Sequence, residues 1–127
     1  MKKIEAIIRP IKLEAVKNAL LEIGVSGLTV TEALGFGCQK SRNNRGSDYI
    51  VDYHAKAKIE VVVFDDALLP RVVEAIIQST RTGEIGDGKI FVSTVGEVVG
   101  IRTTARSQNA VQVSKLRRCQ AARSSKV

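Results

Sequence analysis

The densest chemical feature of the chain is the segment Thr82-Gly83-Glu84-Ile85-Gly86-Asp87-Gly88-Lys89. Three glycines within six residues let successive main-chain N–H groups turn towards one point and form a nest for an anion. Lys89 adds a positive charge at the rim. The spacing is not that of a Walker loop, and no helix follows it. A plain glycine turn joining a helix to a strand fits the same residues. Elsewhere, polar chemistry is sparse. His54 is the single histidine and has no placed partner in the sequence, which makes it a solvated side chain beside a loop. Asp65-Asp66 stands before an apolar helical pattern and reads as a helix cap rather than a catalytic pair. Cys38 and Cys119 are far apart, in neither a disulfide framework nor a metal knuckle, and read as free thiols. No convergent nucleophile or acid–base set is present, so the chain is not expected to be an enzyme.

The elements that must position the glycine segment follow from periodicity. Lys2 to Arg9 is β-favouring and stops at Pro10, a strand. Lys12 to Ile23 places Leu13, Val16, Ala19, Leu20 and Ile23 at helical spacing, with Gly24 as the C-terminal cap. Leu28 to Leu34 alternates Leu28 and Val30 against Thr29 and Thr31, as a half-buried strand does. Cys38 to Asp52 has no period, and about 15 structureless residues in so small a domain point to a functional loop. Lys56 to Phe64 is a third strand. Val72, Val73, Ile76 and Ile77 mark a second helix, with Pro70 tolerated in its early part. Ile90 to Val95 is the fourth strand.

The order βαββαβ predicts an α+β fold, the ferredoxin-like plait, with a four-stranded antiparallel sheet and both helices on one face. The other face lacks a helix cover, so assembly with further copies is expected.

Composition narrows the class. The 127 residues make one domain, 44% hydrophobic but only 4% aromatic, so Ile, Val, Leu and Ala must build the core. No apolar run approaches the roughly 20 residues of a membrane-spanning helix, and the start Met1-Lys2-Lys3-Ile4-Glu5 lacks a signal-peptide pattern. A cytoplasmic protein is expected. The net charge of +7 is unevenly spread: residues 1–102 hold 14 Lys and Arg against 13 Asp and Glu, while residues 103–127 hold six Lys and Arg and no acid. The body is therefore close to neutral, and the basic Ser/Gln/Arg-rich tail, 104–127, is expected to lack a fixed fold. RNA-recognition modules share the βαββαβ order, which keeps a nucleic-acid-binding module that uses the basic tail as the rival class. Such modules stack bases on aromatic residues of the central strands. The first and third strands offer only Phe64, and no nucleic-acid partner is expected.

Thr82 to Val92 (TGEIGDGKIFV) resembles the loop-and-strand signature of the PII nitrogen regulatory proteins throughout its length. Residues 2–40 and Lys58 to Val63 are similar to the same family, and Asn44 to Tyr49 resembles its loop motif. The resemblance covers residues 1 to about 103, a PII-like domain with a long loop at about 37–53 and the Gly-rich loop at 82–89. It implies a homotrimer with nucleotide sites in the clefts between subunits. It implies that Gly86, Asp87, Gly88 and Lys89 cradle the phosphates of ATP or ADP, and that Arg102 reaches across from a neighbouring subunit. Ile7, Thr29, Gly35, Gly37, Glu60 and Val62 would wrap the adenosine. Gln39 would complete a Mg²⁺ shell made mostly by ATP and 2-oxoglutarate, in keeping with a cation that retains substrate oxygens. Lys56 would pair with a 2-oxoglutarate carboxylate beside Gln39 and Lys40, and Tyr49 and Ser47 match positions of covalent modification. The implied role is a sensor of nitrogen, carbon and energy status that docks on target proteins through its long loop: enzymes, regulators or a membrane transporter. The chain departs from the family pattern at Cys38, in the nucleotide group, and at Gly100, both where arginine is usual. Losing two guanidinium–phosphate contacts costs ~1.5–3 kcal/mol each, so a divergent relative with weakened nucleotide binding is the second alternative.

Overall fold

A computed structural model of the protein describes residues 1–37 and 53–106. Strand β1 (Lys2–Ile8) alternates buried and half-buried residues, putting Ile4, Ala6 and Ile8 on one face and Lys3, Glu5 and Ile7 on the other. It ends where Arg9, extended before Pro10, leads into a short 3₁₀ turn, Pro10–Lys12. Helix α1 (Leu13–Glu22) therefore starts one residue later than periodicity predicts. Its end is a Schellman cap: Gly24, at φ 91°, donates to the Leu21 carbonyl, and Val25 donates to that of Leu20. Val25 is itself buried, so the cap also turns the chain back onto the core.

Strands β2 (Thr29–Gly35) and β3 (His54–Val63) follow, then helix α2 (Leu68–Thr80) and strand β4 (Lys89–Thr94). The sheet order is β2-β3-β1-β4, and every neighbouring pair is antiparallel. This is the ferredoxin-like plait expected from the sequence. Ile4, Ile8, Ala57, Ile59, Val61 and Val63 from the central strands meet Val16 and Leu20 of α1 and Val72 and Ile76 of α2 in one core. Each fully buried aliphatic side chain contributes about 1.5–3 kcal/mol through the water it gives up.

Two local expectations differ from the structure. β2 is not half-buried: Val30 is 41% and Leu34 71% exposed, because β2 is an edge strand that the helices do not reach. Asp65 does not cap α2 directly. Its carboxylate accepts the Ala67 N–H at 2.8 Å and its carbonyl the Leu68 N–H, closing a turn one residue ahead of the helix. That turn places Pro70 third in α2, where a missing N–H costs no intrahelical bond.

Candidate functional site

The Gly-rich loop leaves α2 at Arg81 and enters β4 at Lys89. Its organiser is Asp87. The carboxylate accepts the N–H groups of Thr82 and Gly83, each at 2.9 Å, and the Thr82 hydroxyl. Thr82 Oγ1 in turn accepts the Glu84 N–H at 3.2 Å. The Thr82 hydroxyl, then the Thr82 and Gly83 N–H groups and the Arg9 guanidinium, hold the Asp87 carboxyl below the ordinary aspartate range. So one carboxylate closes the base of the loop.

Two cations fasten the loop to the sheet. From the end of β1, Arg9 donates to the Ile85 carbonyl at 2.9 Å and to Thr82 Oγ1 at 3.3 Å, with Asp87 at 3.6 Å. From β3, Lys56 Nζ donates to the Gly86 carbonyl at 3.0 Å. Gly88 then runs directly along β1. A Cβ built there would lie 1.8 Å from the Ile7 carbonyl oxygen, and the residue sits at φ 114°. Only glycine permits this approach.

Loop and sheet thereby converge at one end of the plait. Ile7 stands opposite Lys58 on β3 and Lys89 on β4, and a Cβ on Gly35 would touch Lys56 Cγ at 3.6 Å. Ile7, Gly35, Lys56 and Gly86 to Lys89 are brought together. Thr29, Glu60 and Val62 form a second group further along β3, where Thr29 faces Glu60 and Lys3 faces Val62. From Lys56 to Glu60 is four residues of strand, about 13 Å.

The face of the sheet without helices carries a charge ladder. Glu5 lies directly opposite Glu60, a repulsive pair. It is neutralised by Lys3, at 2.9 Å from Glu5 and 3.5 Å from Glu60, and by Lys58, at 3.1 Å from Glu60. Lys58 first, with Lys3, holds the Glu60 carboxyl below its usual range, and Glu5 above all raises Lys3.

The profile of the nitrogen regulatory protein P-II family matches residues 1–105. The chain belongs to the P-II family. The P-II protein of Azospirillum brasilense is 57% identical over 113 residues, covering 87% of this chain and all of the relative, and that of Rhodospirillum rubrum is 56% identical over the same span. Among solved structures, Arabidopsis thaliana PII bound to citrate superimposes with a TM-score of 0.72 at 40% identity, over 87% of this chain and 89% of that one.

Against the P-II expectations, the described residues hold only part of the site. Cys38, Gln39, Lys40, Ser47 and Tyr49, and with them the proposed magnesium ligand and modification positions, lie outside the described residues. A Cβ built on Gly37 would meet open space. Arg102 is exposed on a turn and makes no hydrogen bond or ion pair to another described residue. Next to it the Gly100 N–H donates to the Ala105 carbonyl at 2.7 Å, Val99 bridges to Arg106, and Arg106 pairs with Glu97. The residue that sequence reasoning missed is Arg9. Its position ahead of Pro10 marks a strand end, but nothing in the sequence shows that this strand end meets residues 82–87. No helix among the described residues is long and apolar enough to cross a membrane.

Proposed function

We propose that this P-II protein is a non-enzymatic sensor that binds ATP or ADP, together with 2-oxoglutarate, and reports their levels to target proteins. The observation that carries the reading is the Gly-rich loop laid against β1. Gly88 is pressed onto the Ile7 backbone, and Gly86 and Asp87 have N–H groups without a partner among the described residues. Unpaired N–H groups beside Lys89 suit the oxygens of a polyphosphate. Gly86, Asp87, Gly88 and Lys89 would hold the phosphates. Ile7, Gly35, Gly37, Thr29, Glu60 and Val62 would surround the adenosine, and Lys56 would meet a dicarboxylate with Gln39 and Lys40.

The separation of these residues into two groups supports a composite site. The loop group and the Thr29–Glu60–Val62 group are about 13 Å apart along one chain, so a ligand can be enclosed where one copy's loop end approaches a neighbour. Arg102, free of partners within its own described chain, is available to such a neighbour. A homotrimer supplies three clefts of this kind. The P-II relative bound to citrate adds that this fold accepts a small carboxylate. Magnesium, held through Gln39 and ligand oxygens, would neutralise charge between phosphate and carboxylate.

Ligands bias the long loop, about 37–53, only by their differential affinity for its conformations, and that loop would dock on targets in the cytoplasm: enzymes, regulators or a membrane transporter. The exposed sheet face favours this over nucleic-acid binding, since its two central strands present no Phe, Tyr or Trp on which a base could stack. The test is calorimetric titration of the full chain with ATP, ADP and 2-oxoglutarate, with and without Mg²⁺. Saturable ATP binding, strengthened by 2-oxoglutarate with Mg²⁺, is expected. Absence of binding to both nucleotides would overturn the reading.

A further inference from the structure

The two cations that reach the Gly-rich loop do so on consecutive carbonyls, from different strands. Arg9 of the β1 end holds the Ile85 carbonyl, and Lys56 of β3 holds the Gly86 carbonyl. A trans peptide is planar, with its N–H directed opposite to its C=O. Drawing the Ile85 carbonyl to Arg9 therefore turns the Gly86 N–H the other way, and drawing the Gly86 carbonyl to Lys56 does the same for the Asp87 N–H. Neither N–H group donates to another described residue, and the same holds for Ile85 and Gly88, whereas the N–H groups of Thr82 and Gly83 are occupied by Asp87.

Left to itself this stretch would not keep one orientation. Gly86 (φ 100°) and Gly88 (φ 114°) flank Asp87, and peptides next to glycine reorient at little steric cost. We propose that Arg9 and Lys56 are positioning residues: a two-cation clamp that sets the Ile85–Gly86 and Gly86–Asp87 peptides so that both N–H groups are presented to a bound phosphate. The inference rests on the nucleotide reading above, to which it adds a role for Arg9 and a second role for Lys56. The two roles of Lys56 are compatible, because an ammonium has three donors and the Gly86 carbonyl uses one.

The clamp differs from simple attraction by positive charge. Arg9 spans the Ile85 carbonyl on one arm and Thr82 with Asp87 on the other, which a lysine ammonium cannot reproduce although its charge is equal. The experiment uses the full chain carrying Arg9→Lys, Lys56→Met or Lys56→Arg. Affinity is measured for ATP without Mg²⁺ and for adenosine, which has no phosphate, and amide ¹⁵N–¹H spectra are recorded without ligand. Arg9→Lys and Lys56→Met should each weaken ATP on the order of tenfold and leave adenosine within about twofold. Lys56→Arg should recover part of the loss. The Gly86 and Asp87 amide signals should shift or broaden in Arg9→Lys while those of β3 stay in place. ATP affinity unchanged in Arg9→Lys, or unmoved Gly86 and Asp87 signals, would overturn the clamp. A parent chain that binds no ATP would sink the nucleotide reading separately, and the amide spectra would still decide the clamp.

Discussion

Gly88 and Asp87 show how adjacent residues can be constrained by different physics. At Gly88 the constraint is steric: a side chain would collide with the Ile7 carbonyl and would also have to adopt φ 114°. Gly88→Ala should destabilise the fold by roughly 2–4 kcal/mol through backbone strain and displacement of the loop. Gly27→Ala, where a Cβ meets open space, should change stability by about 1 kcal/mol or less. Chemical denaturation of both variants checks the contrast, and equal effects would contradict it. At Asp87 the constraint is electrostatic. Its folded pKa lies below the unfolded value, so its contribution is present above the ordinary aspartate pKa of about 3.9 and is lost as pH falls through the folded pKa. Melting temperature followed down the acid range should show Asp87→Asn with a flatter decline than the parent. Identical profiles would mean that the carboxylate does not hold the loop.

Among the elements, the two helices were the most legible. Val16 and Leu20 in α1, and Val72 and Ile76 in α2, are spaced by four in the sequence and are fully buried in the structure. Helical periodicity is a local property and survives any arrangement of neighbours. Ile76→Ala should therefore cost about 2–5 kcal/mol, since the core around it can collapse only in part, and an unchanged denaturation midpoint would show that α2 is not packed as described. Strand β2 was harder to read. Its alternation is real, but burial depends on what lies above each face, and an edge strand beyond the helices keeps Val30 and Leu34 in solvent. The start of α2 shifted for a related reason: Asp65 can cap a helix or close a turn before one, and the chain path from β3 selects the turn.

For the whole molecule, assembly with further copies is the expected outcome, and several large apolar side chains among the described residues are exposed in keeping with it. Phe91 on the helix-free face is 52% exposed, Leu34 on the edge strand 71%, and Ile101 beside Arg102 98%. Light scattering should give a particle of about three times 13.8 kDa, and a stable monomer at micromolar concentration would remove the composite cleft. The basic tail should be dispensable for this. Because Val99 bridges to Arg106 and Gly100 bonds to Ala105, a truncation that spares the body ends after Arg106. It should leave assembly and ATP affinity within a few tenths of a kcal/mol of the parent. Any affinity for RNA should vanish with the tail and fall steeply with salt before that. RNA retained by the truncated chain at ~0.15 M salt, where exposed charges are already screened, would favour the rival class instead.

The sequence by itself determined the order of elements, the apolar faces of both helices, the glycine loop that joins the second helix to the last strand and, through TGEIGDGKIFV, the P-II family. All of these are carried by neighbours along the chain: periodicities of two and 3.6, glycine conformations, and one unbroken motif. The tertiary structure alone decided which distant side chains hold that loop. Arg9 lies 76 residues from Ile85, and Lys56 lies 30 from Gly86. Such contacts follow from the antiparallel register of β1, β3 and β4, which brings Ile7, Lys58 and Lys89 into line. A hydrogen bond between residues so far apart in the chain leaves no mark in local composition, because either partner would look the same on any exposed strand end.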